Sequence, residues 1–325
     1  MGLSNDSILI GGKEIDSIEK IGFLFPGQGS QSVGMGKDFY DRFSEAKNFY
    51  EKADRILGFN LSEISFNGPE EKLKQTKYTQ PALYVHSCII AKLLEERGIA
   101  ADAAAGHSLG EFSALAYGQA FSFEEGLELV RMRAHLMQEA GEKNPGSMAA
   151  IIGLTAEDVM DLCVEVREKG IVQPANYNSP QQIVVSGSRE GVAAAVELAE
   201  EKGARRVMEL PVSGAFHSPL LHSAVEDLGK TLRQVNVRMV NIPVYANVTA
   251  APVSNHDEIR TLLHDQLTHP VRWVETIQNM IGDGVRKFVE VGAGRVLSGL
   301  VRRINRDTEI SQCGTVEELE RFHRI

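Results

Sequence analysis

Residues 106–111 read Gly-His-Ser-Leu-Gly-Glu, which places Ser108 in the spacing Gly-x-Ser-x-Gly. This spacing is typical of a nucleophile elbow, a tight turn between a strand and a helix that lifts a serine hydroxyl clear of the sheet edge. Glycines flank the serine because the chain passes close to itself at such a turn. The N-terminus of the following helix offers free backbone N–H groups to a developing oxyanion. The spacing therefore predicts a nucleophilic serine at position 108.

A nucleophilic serine needs a base, and the candidate is His217 in the segment Gly214-Ala215-Phe216-His217-Ser218. It lies between a strand-like run at 206–212 and a helix start at Pro219. A lone histidine is more often structural than catalytic, but a loop histidine paired with an elbow serine favours catalysis. No acidic residue nearby stands out as a third group that orients the imidazole. Glu226 and Asp227 are equally well explained as the polar face of a helix.

Further segments along the chain carry a resemblance to one enzyme family. The seven matching segments, in chain order, are Phe25-Pro26-Gly27-Gln28-Gly29-Ser30-Gln31, Thr79-Gln80-Pro81-Ala82, the elbow at 106–111, Met132-Arg133 with Met137-Gln138, Asn176-Tyr177-Asn178-Ser179-Pro180, the His217 segment, and Pro270-Val271-Arg272-Trp273. From about residue 20 to about residue 304, the chain resembles the malonyl-CoA:acyl carrier protein transacylases, acyltransferases of fatty acid and polyketide synthesis. One segment departs from the family pattern, because Gly292-Ala293-Gly294 stands where members usually carry Gly-Pro-Gly.

The resemblance implies roles for the residues around the serine. Ser108 and His217 would form a catalytic dyad, with the N–H groups of Gln28 and Leu109 as the oxyanion hole. In this family a backbone carbonyl orients the histidine, and we assign that role to Gln266, whose side chain also lines the site. A neutral carbonyl stabilises an imidazolium less than a buried aspartate does, which suits an acyl intermediate that waits for a thiol.

The resemblance also implies how the substrate is chosen. A malonyl group ends in a carboxylate, which a buried site accepts only beside a cation. Arginine suits this task because its planar fork makes two parallel hydrogen bonds to a carboxylate. Arg133 stands at the family's position, although its spacing alone would suggest a surface residue on an amphipathic helix. Phe216 would crowd an α-methyl group and disfavour methylmalonyl units, and Gln80 and Asn176 would complete the substrate site.

The implied reaction moves a malonyl group from malonyl-CoA to the phosphopantetheine thiol of an acyl carrier protein through a malonyl-serine ester. It needs no metal and no cofactor. One alternative is a serine hydrolase or thioesterase, which would have a buried acidic triad member and no carboxylate clamp. Another is a non-catalytic docking module, which would be expected to have lost Ser108, His217 or Arg133, and all three are present.

Composition favours a cytoplasmic enzyme. The 325 residues are 43% hydrophobic, and no apolar run approaches the length that crosses a bilayer. The three cysteines form no Cys-x-x-Cys pair, which favours a reducing compartment. The net charge of −10 argues against nucleic acid as a partner. An acidic carrier protein would need a local basic patch, for which 302–306 with Arg302, Arg303 and Arg306, or 202–206 with Lys202, Arg205 and Arg206, are the candidates.

Strands alternate with helices along the chain, which predicts an α/β fold. We expect an α/β-hydrolase-like large domain with a parallel sheet, built from residues 1–143 and 214–325. Within it, residues 144–213 follow the order β-α-β-β-α-β of a ferredoxin-like small domain. A buried helix is expected at 82–95, and the last strand of the small domain at 206–212. The first 20 or so residues precede the family's usual start and would add a strand, a hairpin or a tail.

Overall fold

The structure is a computed structural model that describes residues 8–10, 12–15, 19–212 and 214–324. Its strands are β1 (Ile8–Ile10), β2 (Lys13–Ile15), β3 (Lys20–Phe25), β4 (Ala103–Gly106), β5 (Gly146–Ile152), β6 (Val172–Ser179), β7 (Gln182–Ser188), β8 (Arg206–Glu209), β9 (Val244–Tyr245), β10 (Val285–Val291), β11 (Glu309–Cys313) and β12 (His323–Arg324). Its helices are α1 (Lys37–Arg42), α2 (Ser44–Leu57), α3 (Leu61–Asn67), α4 (Glu70–Leu73), α5 (Thr76–Glu96), α6 (Gly110–Tyr117), α7 (Phe123–Lys143), α8 (Ala156–Glu165), α9 (Arg189–Glu201), α10 (His222–Gln234), α11 (His256–Asp265), α12 (Trp273–Gly282), α13 (Val296–Ile304) and α14 (Val316–Leu319), with a short 3-10 turn at Pro219–Leu221.

A parallel sheet of five strands forms the centre of the molecule, in the order β11-β10-β3-β4-β9. Alternate side chains of a strand point to opposite faces of a sheet. In this sheet, side chains on both faces are buried, as is typical of parallel sheets. Along β3, Phe23 and Phe25 pack into the larger core cluster, whereas Leu24 packs on the other face with Trp273 and Phe288. This arrangement confirms the predicted α/β class and places the carboxyl ends of β3 and β4 at one edge of the sheet.

A second sheet of four antiparallel strands has the order β6-β7-β5-β8. Together with α8 and α9 it gives the predicted ferredoxin-like order. One face, including Ile151 and Val185, packs on these two helices, while Met148 and Val184 belong to the core cluster of the large sheet. The division into residues 144–213 and two flanking segments stays a proposal, and its boundary residue 213 lies outside the described residues.

Strands from the N-terminal and C-terminal segments form a third, small sheet of order β12-β1-β2. Strands β1 and β2 form an antiparallel hairpin, and β12 pairs with β1. The sequence left a strand, a hairpin or a tail open for the N-terminal segment, and its described residues form a hairpin. Residues 1–7, 11 and 16–18 lie outside the described part of the chain. None of the described helices is both long and apolar enough to cross a membrane.

Candidate active site

Ser108 stands on the turn between β4 and α6 with a backbone φ of 51°. The glycines on either side are required by close backbone approach. A Cβ on Gly106 would lie 1.8 Å from the carbonyl carbon of Gly110, and a Cβ on Gly110 would lie 1.9 Å from the carbonyl oxygen of Phe25. Because these neighbours are backbone atoms, they cannot move aside as a flexible side chain could. The chain therefore forms the strand–turn–helix geometry that the Gly-x-Ser-x-Gly spacing predicts.

His217 lies against the serine. Its Nε2 is 2.8 Å from Ser108 Oγ, and its Nδ1 is 2.7 Å from the backbone oxygen of Gln266. A carbonyl oxygen can only accept, so Nδ1 carries the proton and Nε2 is left to accept the serine hydroxyl. Burial, followed by the positive charge of Arg133, lowers the pKa of His217 to about 3. The imidazole is thus neutral near pH 7 and able to take a proton.

Arg133 projects from α7 toward Ser108 and is completely buried. Its Nη1 donates to Gln80 Oε1 at 2.7 Å, and its Nη2 donates to Ser108 Oγ at 3.0 Å and to Gln266 Oε1 at 2.9 Å. Its Nε has no hydrogen-bond partner among the described residues. Burial lowers the pKa of the guanidinium to about 10, which still leaves it charged near neutral pH. A cation therefore lies within hydrogen-bond reach of the serine hydroxyl.

Strand β6 of the four-stranded sheet forms the opposite side of the site. The amide oxygen of Asn178 lies 2.8 Å from His107 Nε2, and Gln173 Nε2 donates to the backbone oxygen of His217 at 2.9 Å. The backbone of β6 is also joined to Val271, which exchanges hydrogen bonds with Tyr177 and Ala175 at 2.9 and 2.8 Å. Strand β6 is thus hydrogen-bonded to the elbow turn at His107, to His217 and to the segment before α12.

The residues singled out from the sequence surround one cleft. Its lining includes Gln28, Gln80, Ser108, Leu109, Arg133, Asn176, Phe216 and His217, together with the apolar side chains of Met137, Met148, Leu210 and Val212. Gln266 lies behind this lining, fully buried, and reaches the cleft through Arg133 and His217. The roles assigned to these residues stay predictions, but their proximity is a feature of the structure.

Sequence reasoning missed two polar residues behind the serine, Glu111 and Asn247. Both are buried, and Asn247 Oδ1 accepts the N–H of Ser108 at 2.7 Å. The sequence contained a signal for Glu111, because this charged residue lies on a short helix whose residues Phe112, Ala114 and Leu115 are apolar. Asn247 carried none, because it lies 139 positions from Ser108 in a loop after β9.

Comparison with known proteins agrees with this geometry. The family model of the acyl transferase domain matches residues 22–324. The malonyl CoA-acyl carrier protein transacylase of Bacillus subtilis (strain 168) is 43% identical over 304 residues, which cover 93% of this chain and 96% of that protein. The relative from Staphylococcus aureus (strain MRSA252) with the same description is 38% identical, at 93% and 98% coverage.

Solved structures show the same likeness. The acyl-carrier-protein-S-malonyltransferase of Bartonella henselae has a TM-score of 0.89 at 42% identity and covers 93% of this chain and 97% of its own. A chain in the solved complex of a type II PKS acyl-carrier protein with its malonyl-transacylase aligns with a TM-score of 0.90 at 37% identity, and the match covers 93% of this chain and 98% of that one. The family match spans nearly the whole chain, including most of the five-stranded sheet and all of the four-stranded sheet, and the chain therefore belongs to the acyl transferase domain family.

Proposed function

We propose that this chain transfers a malonyl group from malonyl-CoA to the phosphopantetheine thiol of an acyl carrier protein. The observation that carries the proposal is the buried Arg133 guanidinium, 3.0 Å from the hydroxyl of Ser108. A malonyl group places a carboxylate one methylene away from its thioester carbonyl. A substrate of that length can meet the cation and the hydroxyl at the same time.

The first half of the reaction acylates the serine. His217 Nε2 takes the hydroxyl proton while Ser108 Oγ attacks the thioester carbon. The charge that develops on the carbonyl oxygen is met by the N–H groups of Gln28 and Leu109. The carbon–sulfur bond then breaks, the CoA thiolate receives the proton from His217, and a malonyl-serine ester remains.

The second half runs the same steps in reverse. The thiol of the carrier gives its proton to His217 and attacks the ester carbon, and Ser108 leaves with that proton. The carbonyl of Gln266 orients the imidazole in both halves, since it accepts from Nδ1 at 2.7 Å. This dyad has a neutral orienting group, which favours an acyl intermediate that persists until the thiol arrives.

Arg133 acts as the carboxylate clamp, with Gln80 and Gln266 holding its fork at 2.7 and 2.9 Å. Phe216, which lines the cleft, crowds the position of an α-methyl group, and Asn176 lines the β6 side. A serine hydrolase or thioesterase is not favoured. It would place a buried carboxylate at Nδ1 of the histidine, where this chain has the Gln266 carbonyl.

A docking surface for the carrier belongs to the same proposal. Arg302, Arg303 and Arg306 of the first candidate patch line one pocket together with Arg205 of the second, and we call it the arginine pocket. It adjoins Ser179 and Gln182, just beyond the β6 residue that contacts His107. Lys202 of the other candidate patch is already paired with Glu165 at 2.8 Å. The arginine pocket is therefore the better cation source for an acidic carrier protein.

The cytoplasm is the proposed compartment. The cysteines Cys88, Cys163 and Cys313 are all free, which suits a reducing environment.

Intact-mass measurement after brief exposure to malonyl-CoA tests the proposal. We expect one malonyl adduct on the wild type and none on Ser108→Ala, and the adduct should disappear when carrier protein is added. An adduct that persists in Ser108→Ala would contradict the assignment of the nucleophile. Loss of the wild-type adduct at the same rate with and without carrier would indicate a hydrolase instead.

A further inference from the structure

A buried carboxylate lies directly behind the serine–histidine pair, on the first turn of α6. Glu111 has only 1% of its surface exposed. One of its oxygens, Oε2, accepts the backbone N–H of Asn247 at 3.0 Å and the side-chain amide of Gln266 at 2.6 Å. Neither partner belongs to the helix that carries Glu111, so this single oxygen joins three separate parts of the chain.

The first partner, Asn247, holds the backbone of the elbow. Its Oδ1 accepts the N–H of Ser108 at 2.7 Å, and its Nδ2 donates to the carbonyl oxygen of Gly106 at 2.7 Å. Ser108 has a φ of 51°, in the left-handed backbone region that is strained for a residue with a side chain. Such a conformation persists only where neighbouring groups hold it in place. Here the two hydrogen bonds of the Asn247 side chain hold it.

The second partner, Gln266, holds the histidine. Its backbone oxygen accepts from His217 Nδ1 at 2.7 Å, while its side-chain amide also donates to the backbone oxygen of Ser108 at 3.0 Å. Its Oε1 accepts from Arg133 at 2.9 Å. The orientation of this amide is determined by its neighbours, because the guanidinium can only donate and the Glu111 oxygen accepts.

We propose that Glu111 is a positioning residue for acyl transfer, whose Oε2 fixes the serine through Asn247 and the histidine through Gln266. This inference rests on the function proposed above. It assigns the effect to the two hydrogen bonds and not to the negative charge.

Burial supports this distinction, because it raises the pKa of the Glu111 carboxyl to about 7. Near neutral pH the group is then partly protonated. With the proton on Oε1, Oε2 still accepts both bonds. The scaffold therefore does not require a full charge behind the serine.

Two conservative substitutions separate the bonds from the charge. Glu111→Gln removes the charge but keeps an oxygen that can accept from Asn247 and Gln266. Glu111→Asp keeps the charge but withdraws it by one methylene, so that both bonds lengthen or break. Small misplacements of reacting groups cost up to about 100-fold in rate. We expect Glu111→Asp to lower kcat for Ser108 acylation by roughly tenfold to 100-fold, and Glu111→Gln by less than about threefold.

The KM for malonyl-CoA should change by less than about threefold in both variants, since the substrate-binding side chains remain. Glu290→Asp is the matched control. Glu290 is also buried, and its carboxylate accepts from Leu297 N at 3.0 Å and Ser298 N at 2.8 Å, away from the cleft. It should lower the Tm while leaving kcat unchanged. Active-site titration with malonyl-CoA corrects every kcat for the fraction of folded protein.

The proposal is overturned if Glu111→Asp keeps the wild-type kcat, or if Glu111→Gln loses as much as Glu111→Asp, which would make charge the decisive property. If Glu111→Asp does not fold, Asn247→Ser tests the same network, and an unchanged kcat there overturns it equally. Wild-type protein that never acquires a malonyl adduct would contradict the proposed function itself. The Glu111 variants are therefore compared with wild-type protein that has been shown to form the adduct.

Discussion

Arg133 and His217 approach Ser108 from different elements, so a single oxygen is held between a cation and a base. Nη2 of Arg133 is 3.0 Å from that oxygen, and Nε2 of His217 is 2.8 Å from it. The serine can accept from the first and donate to the second at once. When a substrate carboxylate occupies Arg133, the charge that helps to lower the pKa of His217 is offset. The base should therefore strengthen when the correct substrate binds.

The substitution Arg133→Ala should affect only substrates that carry a carboxylate. Removing one partner of a buried charge pair costs roughly 2–5 kcal/mol, largely because the other charge is left unpaired. Acylation by malonyl-CoA should fall by a factor between about ten and a few thousand, while acetyl-CoA should react as well as before or better. Arg133→Lys should rescue only in part, since a point charge does not reproduce the fork. The ratio of the two acylation rates is the measurement, and an unchanged ratio in Arg133→Ala would refute the clamp.

A pH experiment tests the neutral histidine. The pKa of His217 is lowered from 6.5 to about 3, so the unfolded chain takes up a proton on acidification well before the folded one does. Stability from this group is present above 6.5 and is lost as the pH falls toward 3. Urea unfolding at about pH 7.5 and about pH 5 should show this loss in the wild type and less of it in His217→Gln. An equal loss in both proteins would mean that the histidine is not held in its neutral form.

At the scale of elements, the elbow depends on how closely β3, β4 and α6 approach one another. Gly110 begins α6 and lies against the backbone oxygen of Phe25 at the end of β3.

Two elements differ in length from the prediction. Helix α5 begins earlier than predicted, at Thr76 instead of residue 82, with Pro81 inside it. Proline removes one hydrogen bond from a helix, but Thr79 Oγ1 donates to the backbone oxygens of Leu73 and Gln75, which supports the first turns. The last strand of the four-stranded sheet is shorter than predicted and ends at Glu209.

Gly110→Ala should disrupt the elbow, because its Cβ would lie 1.9 Å from a backbone oxygen. We expect the free energy of unfolding to fall by more than about 3 kcal/mol, together with loss of acylation. Gly299→Ala in α13 is the matched control, since its added Cβ has no atom within 4 Å other than its chain neighbours and the backbone of its own helix. Alanine there should stabilise the helix by up to about 1 kcal/mol. Denaturant unfolding of both variants decides the matter, and a stable, active Gly110→Ala protein would contradict the close approach.

At the scale of the whole molecule, charge is unevenly distributed. The chain has a net charge of −10, yet four arginines line the arginine pocket. Exposed charges of this kind mainly govern association with a charged partner and its dependence on salt. The proposed docking surface should therefore affect the second half of the reaction more than the first.

The double substitution Arg303→Glu with Arg306→Glu should raise the KM for the carrier protein by roughly tenfold or more, with little change in kcat. Acylation of Ser108 by malonyl-CoA should stay within about twofold of the wild type. Lys202→Glu, on the other basic patch, should leave the KM for the carrier nearly unchanged. Steady-state kinetics with carrier as the varied substrate gives the answer, and equal effects of the two changes would contradict docking at the arginine pocket.

The local features of this protein could be predicted from its sequence. The glycines around Ser108 predicted the elbow, and the alternation of strands and helices predicted the parallel sheet and the ferredoxin-like order of the four-stranded sheet. These features follow from neighbours along the chain, whose turn chemistry and periodicity can be read directly. The hydrogen bonds that join Glu111 to Asn247 and Gln266, 136 and 155 positions away, could be found only in the folded chain. Such contacts depend on how separate elements pack, and a buried polar side chain carries no local pattern that identifies its partner.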